Sequence, residues 1–166
     1  MTGVLLRAPQ PDECDQLAAI VDQAGGGVVS FLLDGLIPGF SGQSLLAAAL
    51  RRDQELYGHD STLILEKQGR IAAMLVVDPA EKHVVHSALN MVAPAARINA
   101  VRPMLEAAVP GSLHIDIFWL HKDLGTDKDA QLLLRAACEK AGAMGRGSLG
   151  VFCRQSQQSD MLFFTS

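Results

Sequence analysis

Apolar residues recur along this chain with two periods, and the alternation between the periods predicts its elements. In VLLRAPQPDECDQLAAIVDQAGGG an apolar triplet reads as a short strand. A proline-bearing turn follows, and then a helix in which Leu17, Ile20, Val21 and Ala24 fall at helical spacing. Pro11 suits the first turn, Asp12 and Glu13 complement the positive end of the helix dipole, and Gly25 to Gly27 end it. VVSFLLDGLIPGF predicts a second short helix stopped by Pro38 and Gly39. Ser41 is placed to cap a third, which carries Leu45, Leu46, Ala49 and Leu50. STLILEKQGRIAAMLVVDP is the clearest hairpin: two β-prone runs flank Lys67-Gln68-Gly69-Arg70, and Pro79 stops the second run.

Further on, Ile98, Val101, Leu105 and Val109 predict a helix interrupted or kinked near Pro103. SLHIDIFWL is dense in apolar and aromatic residues and reads as a central strand. DLGTDKDAQLLLRAACEKA is a polar turn running into an amphipathic helix through about Ala143, closed by Gly145 and Gly147. SLGVFC reads as another strand, and QSDMLFFTS as the start of a helix. Helices alternating with strands, plus an early hairpin, imply one α/β domain over residues 1–166 with a mixed sheet of about five or six strands.

Composition narrows the chemistry. A chain of 166 residues buries a core without disulfides or metal. A net charge of −4 with no basic stripe speaks against nucleic acid as a partner. The apolar runs are too short to span a bilayer, and Met1 is not followed by a basic segment and long apolar core, so no membrane partner and a cytoplasmic location are expected. Cys14, Cys138 and Cys153 are odd in number and widely spaced, as reduced thiols are, with Cys138 expected on the core side of its helix and Cys153 at a strand end. His83 and His86 lie three apart, but no nearby third ligand completes a zinc pattern, so they read as surface or pocket histidines and no metal is expected. His114 and Asp116 alternate on the central strand and argue for a polar pocket lined by one face of it.

The order of these elements, and above all SLHIDIFWLHKDLGTDKDAQLLLRAACEKAGAMGRGSLGVFC, resembles the GCN5-related N-acetyltransferase (GNAT) superfamily. LILEKQGRIAAMLVVDP is similar to the hairpin of that family. The resemblance implies a mixed, mostly antiparallel sheet flanked by helices. It also implies that the loop after the central strand holds the pyrophosphate of acetyl-CoA through backbone amides. The family pattern there, Arg/Gln-x-x-Gly-x-Gly/Ala, falls on Gly125, Lys128 and Ala130, and only Ala130 agrees with it. Amides from Thr126 through Ala130 remain at a helix start, and Lys128 adds a cation. Against this, the carboxylates of Asp127 and Asp129 repel phosphate, by about 1 kcal/mol per close pair in water. The alternative of equal weight is that these two residues only complement the helix dipole. The backbone of Phe118, Trp119 and Leu120 corresponds to the stretch that pairs with the pantetheine arm. Either one of the two aromatic rings faces that ligand, or both face the core.

Asp116 falls where the family places a carboxylate that takes the proton of the acceptor amine, on the strand face opposite Ile115 and Ile117. The plainer alternative is a structural carboxylate paired with a neighbour. Gln157 stands for a family asparagine near the cofactor, and Phe164 replaces the tyrosine that protonates the departing thiolate. The lone tyrosine, Tyr57, lies far away in the sequence. The last strands of the family are expected to be missing, leaving SLGVFC as an open edge and favouring a homodimer. The resemblance therefore implies an acyl-CoA-dependent N-acyltransferase that uses acetyl-CoA on a small-molecule or peptide amine. Its alternative is a catalytically impaired GNAT-fold binding or assembly protein.

Overall fold

The computed structural model describes residues 3–53, 56–58 and 60–152. In chain order they form β1 (Val4–Arg7), α1 (Cys14–Ala24), α2 (Val28–Leu33), α3 (Gly42–Arg52), β2 (Thr62–Lys67) and β3 (Arg70–Pro79). Then come α4 (Ser87–Val92), α5 (Ala95–Leu105), β4 (Leu113–Leu120), α6 (Asp127–Ala143) and β5 (Leu149–Val151). The five strands make one sheet in sequence order, antiparallel from β1 to β4, with β5 added parallel to β4. The β2–β3 hairpin turns at Gln68 and Gly69, both left-handed at φ 53 and 71, a backbone twist that matches that of the flanking strands.

Each face of the sheet buries one apolar layer. On one face, Leu17, Ile20 and Val21 of α1 and Ala47 and Leu50 of α3 pack on Ile64, Met74, Val76 and Ile117. On the other, Leu133, Ala137 and Ala141 of α6 pack on Leu65, Leu75, Val77, Leu113 and Ile115. Leu32, Ala93 and Ile98 bring α2, α4 and α5 together as a smaller third cluster. Arg7 locks the first edge, gripping both carboxylate oxygens of Glu13 at 2.6 and 2.9 Å and donating to Glu66 at 2.7 Å.

Three local expectations change. The second helix ends at Leu33, well before Pro38, because Gly35 takes φ 76 and the Asp34 carboxylate turns to the Gly42 amide at the start of α3. Val109 lies outside α5, which stops at Leu105 soon after Pro103 removes a helical donor. Cys138 is exposed rather than core-facing, since the buried stripe of α6 runs through Ala130, Leu133, Ala137 and Ala141.

Candidate active site

Register decides where Asp116 sits. Val76 pairs with Ile117 and Val77 with Ile115, so Asp116 is an extra residue with no counterpart on β3. This is a β-bulge, which leaves one residue outside the ladder and re-aims its side chain. It also reverses the alternation along β4: Ile115 packs with the α6 layer and Ile117 with the α1/α3 layer. The expectation that Asp116 opposes both isoleucines is therefore corrected, because a bulge inserts one residue between two side chains that would otherwise share a face.

Around the bulge the fold gathers ionisable groups from three segments. Asp78 near the end of β3 is the register partner of His114. His83, in the connection after β3, brings Nδ1 to 3.4 Å from Oδ1 of Asp116, with its side chain only 4% exposed. The His83 and His114 rings meet edge to face at 4.6 Å. One donor atom from each of His83, His114 and Asp116 lies within 4.8 Å of the others. His86, the sequence neighbour first considered beside His83, is elsewhere: it is exposed and its Nδ1 accepts from the Ala88 amide.

Burial governs the charge states here. Although the Asp116 side chain is 36% exposed, its surroundings are dry enough that burial, aided by the charge of Asp78, pushes its pKa up to about 7. Burial also raises Asp78 against the pull of Lys82, His83 and Lys140. His114 is pushed down to about 4 by burial and then by His83, and burial lowers His83 despite Asp78. Both imidazoles are thus neutral at pH 7. Each retains a buried ring nitrogen with no hydrogen-bond partner among the described residues, Nε2 of His83 and Nδ1 of His114. An unmade hydrogen bond at such an atom costs about 1–3 kcal/mol.

Tyr57 belongs to this neighbourhood, which its sequence position concealed. It packs against the α1/α3 layer with φ 52, a strained backbone for a tyrosine. Its phenol is held well above the usual range by burial and then by the charges of Asp116 and Asp78. A positive φ at a bulky residue leaves no mark in the sequence.

The loop into α6 is organised differently. Gly125 is demanded by packing: a Cβ there would lie 2.9 Å from the His121 carbonyl oxygen and 3.0 Å from that of Ala72. Thr126 caps the helix, and its amide and hydroxyl both donate to Asp129 Oδ2, at 2.8 and 2.7 Å. Lys67 Nζ reaches the same carboxylate and the Leu124 carbonyl. Burial alone would raise Asp129, but these donors outweigh it and hold its pKa below the usual value. The Gly125, Thr126, Asp129 and Ala130 amides are all engaged within the chain. Those of Asp127 and Lys128 have no partner among the described residues. Asp127 and Lys128 are exposed and Ala130 is buried. Lys67, Thr126, Lys128, Gln131, Leu132 and Arg135 line an open depression of about 470 Å³ beside the loop. Lys128 and Arg135 thus line this depression with Asp129, whose carboxylate is paired with Lys67, and the exposed Asp127 lies next to it in the chain.

On β4, Trp119 packs in the α1/α3 layer and donates its indole N–H to Gln23 at 3.0 Å. Phe118 and Leu120 pack in the α6 layer. Both aromatic rings are thus core-facing, on opposite sides of the sheet. Among the described residues β5 pairs with β4 from Leu113 to Ile115, and β4 runs on to Leu120. Gln157 and Phe164 lie outside the described residues.

This architecture recurs in solved structures. An N-acetyltransferase from Staphylococcus aureus Mu50 superposes with a TM-score of 0.70, over 97% of this chain and 87% of that one, at 14% identity. The fold is that of the GNAT acetyltransferases. An aminoglycoside N-acetyltransferase in complex with CoA matches the GNAT fold of this chain with a TM-score of 0.59, covering 99% and 86% of the two chains at 10% identity. A polyamine N-acetyltransferase from Drosophila melanogaster gives 0.52, covering 98% and 82% at 15% identity. No family model matches the sequence, and no curated protein matches it significantly. No helix among the described residues is long and apolar enough to cross a membrane.

Proposed function

We propose that this chain transfers an acyl group, acetyl foremost, from acyl-CoA to a small amine. The observation that carries this reading is Asp116, displaced from the ladder by a bulge in the middle of a GNAT-fold sheet and left partly open to solvent. The thioester supplies the electrophilic carbonyl. The amine nitrogen bonds to that carbon, the C–S bond breaks, the sulfur leaves as thiolate, and Asp116 takes the proton lost by nitrogen. The Asp127 and Lys128 amides, with the Lys128 and Arg135 side chains, hold the diphosphate.

The two carboxylates Asp78 and Asp116 favour a di- or polyamine that carries its positive charge on a second, non-reacting nitrogen, while the reacting nitrogen attacks as the free amine. This agrees with two proteins of the same fold named for agmatine and for polyamines. The test is a titration of the full chain with acetyl-CoA, followed by free-thiol release across di- and polyamines. Acetyl-CoA at one hundred times its Kd is expected to stabilise the fold by about 2.7 kcal/mol. An unmoved melting temperature at millimolar acetyl-CoA overturns the reading and leaves the GNAT-fold binding protein in its place.

A further inference from the structure

The group of His83, His114 and Asp116 has a property that acyl transfer does not use. Amine acylation asks for one carboxylate, whereas here a carboxylate is joined by two imidazoles converging from different segments, one from the connection after β3 and one from β4. Both rings are buried, His83 with a side chain 4% exposed and His114 at 3%. Each has a ring nitrogen that no protein group satisfies among the described residues. Buried imidazoles normally spend both nitrogens on partners, so two adjacent rings with spare nitrogens beside a carboxylate make an incomplete polar network.

We propose that His83, His114 and Asp116 bind a divalent transition-metal ion, with Zn²⁺ the best match. Two imidazoles and one carboxylate are a recurrent three-donor set that leaves a fourth position for water or another ligand. His83 would ligate through Nδ1, the nitrogen that faces Asp116, and not through its unpartnered Nε2; the 3.4 Å between His83 Nδ1 and Asp116 Oδ1 is the separation of two donors on a tetrahedral ion with bonds of about 2.0–2.2 Å. All three donor atoms lie within 4.8 Å of one another. Asp78, the register partner of His114, places a second carboxylate on the neighbouring strand. The partly exposed edge of Asp116 is the way in for the ion. The site rests on the three side chains alone; with the ion bound, Asp116 is a ligand and no longer a free base, so proton transfer by Asp116 belongs to the metal-free chain.

The test uses the full chain, stripped with a chelator and titrated with Zn²⁺ by calorimetry and with Co²⁺ by visible absorption. One ion per chain is expected, with the intense d–d bands of tetrahedral Co²⁺. His83→Ala and His114→Ala should each weaken binding by at least about tenfold, and His86→Ala should leave it unchanged. Absence of heat and of bands up to millimolar metal overturns the proposal. Full affinity in both histidine variants also overturns it, because the ion would then sit elsewhere. If either alanine variant fails to fold by circular dichroism, Asp116→Asn at the more exposed donor decides: weakened binding supports the site and full affinity overturns it. Neither readout involves CoA, so a failure here and a failure of acyl transfer are told apart.

Discussion

The loop into α6 and the cluster at the bulge both gather polar groups in a largely apolar sheet, yet they treat those groups in opposite ways. In the loop the Gly125, Thr126, Asp129 and Ala130 amides and the Asp129 carboxylate are spent inside the chain. Asp129 alone receives the Thr126 amide, the Thr126 hydroxyl and Lys67. At the bulge, two ring nitrogens are left over and a carboxylate is held near neutrality by dry surroundings. A finished network fixes a backbone; an unfinished one keeps free energy available for a ligand or a proton. In the loop that the sequence marks as the cofactor site, the Asp129 carboxylate is taken up by Thr126 and Lys67. The groups best prepared for chemistry sit at the bulge.

Substitutions in the two regions are expected to move stability in different directions. The largest effect is expected for Asp129→Ala, which removes the capping-box partner of Thr126 and the ion-pair partner of Lys67. Urea denaturation should show a loss of about 2–3 kcal/mol. The same residue makes a pH prediction. Its folded pKa lies below the ordinary value, so its contribution is complete above that value and disappears as pH falls through the folded pKa. The stability gap between wild type and Asp129→Asn should therefore be widest at neutral pH and shrink below about pH 4. Next comes Gly125→Ala, whose new methyl meets two carbonyl oxygens. A loss of about 1–2 kcal/mol is expected, read by the shift in melting temperature.

The smallest effect carries the opposite sign. His83→Leu replaces a buried ring that has an unmatched nitrogen, so stability should hold level or rise by up to about 1 kcal/mol. A loss of 2 kcal/mol or more there would place the cluster among the finished networks and erase the comparison.

Much of the fold was legible because the signals were periodic or local. The hairpin at Gln68–Gly69, the Ser41 cap and the apolar stripe of α6 each follow from a few neighbouring residues. Asp116 was legible as a position on the central strand, but its orientation was not, because nothing in SLHIDIFWL announces the extra residue of a bulge. His83 was read beside its neighbour His86, whereas its companions in the structure lie some thirty positions further on and meet it through β3–β4 pairing. Tyr57 was set aside as distant for the same reason. Asp129 was read as a charge facing phosphate or the helix dipole, and the sequence held no sign that Lys67 would reach it across the sheet edge.

The central claim is that Asp116 at the bulge, rather than the loop, carries the chemistry. Its most direct test is free-thiol release from acetyl-CoA with small di- and polyamines, comparing wild type with Asp116→Asn at neutral pH. The expected result is transfer by the wild type and a kcat/KM at least about 100-fold lower in the variant, with the Kd for acetyl-CoA unchanged. A variant that transfers at the wild-type rate would contradict the claim.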